Sequence, residues 1–123
     1  MIGVGGLGHM AVQILAALSP ARIIAVDTSA DKLVLAREVG VDEAVGAGEN
    51  AAAAIQELTR GRGAELVIDM VGADDTLALA AKIVRFESHL TVVGLAGGPF
   101  NSASVRCPSS ARSPCRIGAA ASS

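Results

Sequence analysis

Met1-Ile-Gly-Val-Gly-Gly-Leu-Gly8 is the stretch on which the fold turns. Met1–Val4 reads as the end of a buried strand that runs straight into Gly3-Val-Gly5-Gly6-Leu-Gly8. Leu7, Met10, Ala11, Ile14, Leu15 and Leu18 then recur at helical spacing until Ser19-Pro20 stops them. A glycine-rich turn between a strand and a helix has a specific use there. Gly3 allows the tight turn, Gly5 lets a pyrophosphate approach bare backbone, and Gly8 allows close helix–strand packing. The N–H groups at the helix start then face an anion, favoured by the helix dipole. The same glycines could instead serve only a tight turn.

Outward from this loop the chain alternates. Arg22–Asp27 is a β-branched run that reads as a second strand. Thr28 is placed to cap the next helix, with Asp31 in its first turn; Leu33, Ala36 and Val39 form its inner face and Gly40 its end. Glu43–Ala47 is a weak third strand and Ala51–Leu58 a third helix closed by Gly61. Glu65–Val71 is the clearest later strand. Asp74 or Asp75 caps a helix with Leu77, Ala80, Ala81 and Val84 facing inward, and His89–Leu95 is a fifth strand. Strand and helix in alternation predict an α/β fold: a parallel, doubly wound sheet of about five strands.

Composition agrees with that architecture. Apolar residues make up 51% of the 123, nearly all small or branched, with no Trp or Tyr and only Phe86 and Phe100 aromatic. Close helix–sheet packing suits such side chains. A net charge of −2 argues against nucleic acid as a main partner. No apolar run approaches the roughly 18 residues of a membrane span. The start lacks a positively charged signal-peptide region, so the expected compartment is the cytoplasm.

The average charge hides a break. Residues 1–98 hold seven basic and twelve acidic residues, whereas 99–123 hold Arg106, Arg112 and Arg116 with no acid. The second stretch also contains both cysteines, three of the four prolines and seven serines. This predicts a globular domain over 1–98 and a tail over 99–123 too poor in apolar residues to order itself.

Asp27 answers the glycine loop. It ends the second strand 19 positions beyond Gly8, where a carboxylate can accept hydrogen bonds from both hydroxyls of an adenosine ribose. It would repel a 2′-phosphate, so NAD is expected over NADP. A solvated helix cap is the plainer reading of Asp27. Lys32, one turn into the next helix, is in reach of the same ribose, although alone it reads as a surface lysine. Val71-Gly72 and Val93-Gly94-Leu95 end later strands at the ligand-binding edge; lining the cofactor path and ordinary strand-then-turn are equal readings.

Four segments carry a family resemblance: Gly3-Val-Gly-Gly-Leu-Gly-His-Met-Ala-Val-Gln13, Ile24-Ala-Val-Asp27 with Lys32, Val67-Ile-Asp-Met-Val-Gly72 and Leu90-Thr-Val-Val-Gly-Leu95. Their order and spacing over about residues 1–98 resemble the coenzyme-binding domain of the medium-chain, zinc-type alcohol dehydrogenases, nearer the NAD-dependent branch. The resemblance implies that Gly3, Gly5, Gly6 and Gly8, with Leu7 in the same loop, hold the pyrophosphate. It implies that Asp27 and Lys32 hold the ribose, and that backbone around Val93, Gly94 and Leu95 faces the nicotinamide, while Val71 stays a candidate for the cofactor path. It further implies hydride transfer between an alcohol and nicotinamide in a complete, commonly oligomeric enzyme.

That family's catalytic zinc sits in another domain, and no match to its ligand set occurs here. His9 and His89 have no partner at metal-ligand spacing, and Cys107 and Cys115 lie in the Ser/Pro/Arg-rich tail, so no catalytic or metal residue is expected in this chain. The family has more strand before the glycine loop and a further helix–strand unit after Gly98. The expectation is therefore a coenzyme unit incomplete at both ends, with Met1 an internal start and the tail read out of frame; a genuine disordered tail is the alternative. A non-catalytic nucleotide-binding fragment or pseudogene product is the second functional reading. An S-adenosylmethionine methyltransferase is the third, disfavoured by Gly5-Gly6, Lys32 and the later segments.

Overall fold

The computed structural model describes residues 1–94 and, for the backbone alone, 116–119. After the glycine loop comes helix α1 (Gly6–Leu18), then strand β1 (Ile24–Asp27), helix α2 (Ala30–Glu38), strand β2 (Glu43–Gly46) and helix α3 (Ala51–Leu58). Strand β3 (Ala64–Asp69), helix α4 (Asp74–Ile83), strand β4 (Val84–Val92) and strand β5 (Arg116–Ala119) complete the order. Every pairing between them is parallel. The expected α/β class is observed.

The strands form two sets, β1 with β2 and β3-β4-β5, rather than one uninterrupted five-stranded sheet. Between the sets lies the segment read as the first strand, and it contributes one bridging residue. Ile2 bridges Val26 on one side and Asp69 on the other. Its N–H donates to the Ile68 carbonyl at 2.8 Å, and its own carbonyl accepts from Met70 at 2.8 Å. On the β1 side, Gly3 donates to the Val26 carbonyl at 2.8 Å and Val26 donates to Met1 at 2.9 Å. One residue thus aligns the carboxyl ends of β1 and β3, which is where the glycine loop emerges.

Alternation along β1 distributes the core over two faces. Ala25 enters a cluster with Val4, Val12 of α1, Ala36 of α2 and Val41. Val26 enters the other, with Ile55 of α3, Leu77 and Ala80 of α4, Val67 and Leu90. Helices therefore cover both faces, and the glycine loop crosses the edge between them.

Several boundaries differ from the sequence reading. Ser29, not Thr28, caps α2: its Oγ accepts from the Lys32 N–H at 3.4 Å, because Asp27 draws the Ser29 N–H inward and bends the chain there. Neither Asp74 nor Asp75 caps α4. Ala73 occupies the cap position, and its N–H donates to the Thr76 hydroxyl at 3.0 Å. Val84 is buried in the core as expected but opens β4 rather than belonging to α4, so β4 begins before His89 and includes an irregularity in its register with β3. β3 ends at Asp69, which leaves Val71 in the following loop.

Within the tail, residues 116–119 pair with β4 from His89 to Val92, an order that the tail's composition does not announce. The rest of the tail and Leu95 lie outside the described residues. Among the described residues, no helix is long and apolar enough to cross a membrane.

Candidate functional site

The four loop glycines divide into two pairs by what surrounds them. Gly3 has φ +85, and a Cβ there would lie 2.7 Å from Val71 Cγ2. A Cβ on Gly8 would collide with the Gly3 carbonyl oxygen. These two are required by the packing of the fold itself. Gly5 and Gly6 are not: the nearest atom to a Cβ on Gly5 would be Lys32 Nζ at 3.9 Å, and Gly6 faces open space. Packing gives no reason for glycine at either place, whereas a ligand approaching bare backbone does.

That backbone is the start of α1. The first N–H groups of any helix have no intrahelical acceptor. Here Gly5 sits at the cap position without a side chain to accept from them, and no acid lies in the first turn. Leu7, in that turn, is 71% exposed, so the loop's outer side stays open. The combination of free donors, a positive helix end and a first turn without an acid suits an anion such as a pyrophosphate.

Asp27 joins the loop to the end of β1. Its Oδ2 accepts from the Val4 N–H at 2.9 Å, and its Oδ1 from the Ser29 N–H at 2.9 Å. Burial pushes its carboxyl up, but those two hydrogen bonds, the Lys32 ammonium and the Thr28 amide outweigh it and hold the pKa below the usual value. Of the carboxylate's roughly four acceptor sites, one stays open for an incoming hydroxyl. The exposed Lys32 ammonium thus stands beside Asp27 and near Gly5, which brings these three residues together.

From Asp27 a cleft of about 640 Å³ opens toward α4, lined among others by Gly3, Thr28, Glu49, Val71 and Thr76. Its rim also carries Asp75 and Lys82. Val71 lines the same cleft and packs on Gly3. Gly94 is pressed against Met70 and Val71 so closely that a Cβ would overlap their backbone. Val93 and Gly94 donate to the Asp69 carbonyl at 2.8 and 3.4 Å. Val71, Val93 and Gly94 are therefore brought to the far side of the glycine loop.

Sequence reading missed Asp69 and Thr76. Asp69 is completely buried and binds three donors around the β3–α4 turn. The available signal was a carboxylate ending the apolar run Leu66-Val-Ile, within a segment already singled out. His9 is half-buried and His89 exposed on β4. Among the described residues, no group of three His, Cys, Asp or Glu side chains converges to hold a metal.

Comparison with known proteins bears on this geometry. The sequence profile of the zinc-binding dehydrogenases matches residues 6–111. The NAD-dependent alcohol dehydrogenase of Sulfurisphaera tokodaii is 36% identical over 94 residues, 76% of this chain and 27% of that protein. Galactitol 1-phosphate 5-dehydrogenase of Escherichia coli is 32% identical over 95 residues, again 76% of this chain and 28% of the relative. Among solved structures, the alcohol dehydrogenase of Aeropyrum pernix superimposes with a TM-score of 0.76 at 39% identity, covering 83% of this chain and 30% of that one. The chain spans less than a third of the length of each of these three relatives.

Proposed function

Since the chain belongs to the zinc-binding dehydrogenase family, we propose that residues 1–98 are the NAD-binding unit of an alcohol dehydrogenase, a doubly wound coenzyme domain. The observation that carries this is Asp27, held by Val4 and Ser29 at the end of β1 beside an open helix N-terminus. In the bound state the Gly5 and Gly6 backbone, with Leu7, receives the pyrophosphate. Asp27 and Lys32 take the adenosine ribose, and the cleft between Thr28 and Val71 takes the adenine. Val93 and Gly94 border the nicotinamide half.

NAD, when bound, supplies the hydride acceptor. The chain's own part is to hold and orient it: none of its residues is assigned to catalysis. In the full-length relative, a zinc held by the companion domain would polarise the alcohol oxygen. By this reading the protein binds the cofactor, oxidises no alcohol alone, and works in the cytoplasm.

Calorimetric titration of the 123-residue chain tests the reading. NAD should bind at least about tenfold more tightly than NADP, a difference of roughly 1.4 kcal/mol, and S-adenosylmethionine should not bind. Tighter binding of NADP than NAD would remove the role given to Asp27.

A further inference from the structure

Asp69 ends β3 with no exposed surface, and a buried carboxylate is costly unless it is fully paired. Its side chain pairs within the β3–α4 turn, and its backbone pairs with two further segments. Oδ1 accepts from the Val71 and Gly72 N–H groups at 2.9 and 3.0 Å, and Oδ2 accepts from the Thr76 hydroxyl at 2.8 Å. Its backbone carbonyl accepts from Val93 and Gly94, at the end of β4. On its other edge Asp69 is bridged to Ile2, immediately before the glycine loop.

We propose that Asp69 is the positioning residue of the cofactor cleft, gathering the loop after β3 so that Val71, the glycine loop and the Val93–Gly94 backbone hold one spacing. This rests on the cofactor reading above and adds to it a residue that touches no ligand.

A local role in capping α4 would account for part of the pattern. It does not account for the contacts beyond the turn. Through its backbone Asp69 also joins Val93 and Gly94 at the end of β4 and Ile2 before the glycine loop. The loop so held presses Val71 onto Gly3 and the Val71 backbone onto Gly94, with no room for a Cβ at either glycine. Interfaces packed this tightly transmit a displacement rather than absorb it. A slackened Asp69 therefore moves the cleft wall and the backbone on the nicotinamide side together.

The test uses the full chain with Thr76→Val, which keeps the side chain's shape and removes its hydroxyl, and Thr76→Ser, which keeps the hydroxyl. Amide hydrogen exchange is read without ligand, and NAD affinity by titration. Thr76→Val should speed exchange at Val71, Gly72, Val93 and Gly94 while leaving Ala36 of α2 unchanged. It should also weaken NAD binding about tenfold, with Thr76→Ser within about twofold of the parent. Asp69→Asn provides the same readings if Thr76→Val does not fold. Unchanged exchange at Val93 and Gly94, or a serine variant as impaired as the valine one, overturns the proposal. Should the parent chain fail to bind NAD, the cofactor reading falls, and the exchange pattern alone decides whether Asp69 couples these segments.

Discussion

The Asp27 carboxylate accepts a hydrogen bond from the Val4 amide, 2.9 Å away and 23 residues earlier in the chain. The end of β1 thereby fixes the glycine loop from the side. The group expected to read a ribose also shapes the loop expected to read a pyrophosphate, so the two halves of the site are built as one.

Acid should weaken that link. The folded-state pKa of Asp27 is depressed by the Ser29 and Val4 amides and by Lys32, against the opposing effect of burial. Its contribution to stability is therefore present above the unfolded value of about 3.9 and lost as pH falls through the folded value. Asp27→Asn, which like the protonated acid sets a donor against donors, should melt below the parent at neutral pH. The two thermal melting curves should converge as pH falls through the depressed folded value of Asp27. Equal melting temperatures at pH 7 would show that the carboxylate charge does not hold the loop.

Gly8→Ala and Gly6→Ala should separate packing from binding. A Cβ on Gly8 meets the Gly3 carbonyl, so overpacking should cost about 1–3 kcal/mol or more in urea denaturation. A Cβ on Gly6 meets nothing within 4 Å. Gly6→Ala should keep or slightly raise stability, by up to about 1 kcal/mol from helix propensity, yet weaken NAD. If Gly6→Ala binds NAD as tightly as the parent, the open floor is not where the cofactor lies.

Stability should depend on the interior and not on surface charge pairs. Leu90, fully buried in β4, should cost about 2–5 kcal/mol on truncation to Ala, a large part of a typical domain's total of about 5–15. Glu65 pairs with Arg85 at 3.0 Å with side chains 82% and 44% exposed, so Glu65→Gln should change stability by less than about 1 kcal/mol. Equilibrium urea titration of both variants checks the contrast; comparable losses would contradict it.

What the sequence by itself determined was the order of elements and the position of the loop. Apolar residues at helical spacing mark α1, and β-branched runs mark strands such as β1, because both are local properties of the chain. Asp27 was legible for a similar reason: a carboxylate ending a β-branched run stands out at fixed spacing from Gly8. Tertiary structure decided what depends on distant neighbours. Only contact with Val71 and the Gly3 carbonyl distinguishes Gly3 and Gly8, which packing requires, from Gly5 and Gly6, which it leaves open. Only the seven-residue reach from Thr76 to Asp69 shows why a carboxylate ends β3, and only Ile2, bridged on both sides, shows how two sets of strands share one edge. A residue's periodicity is written in its own segment, whereas its hydrogen-bond partners and the space for its Cβ belong to other segments.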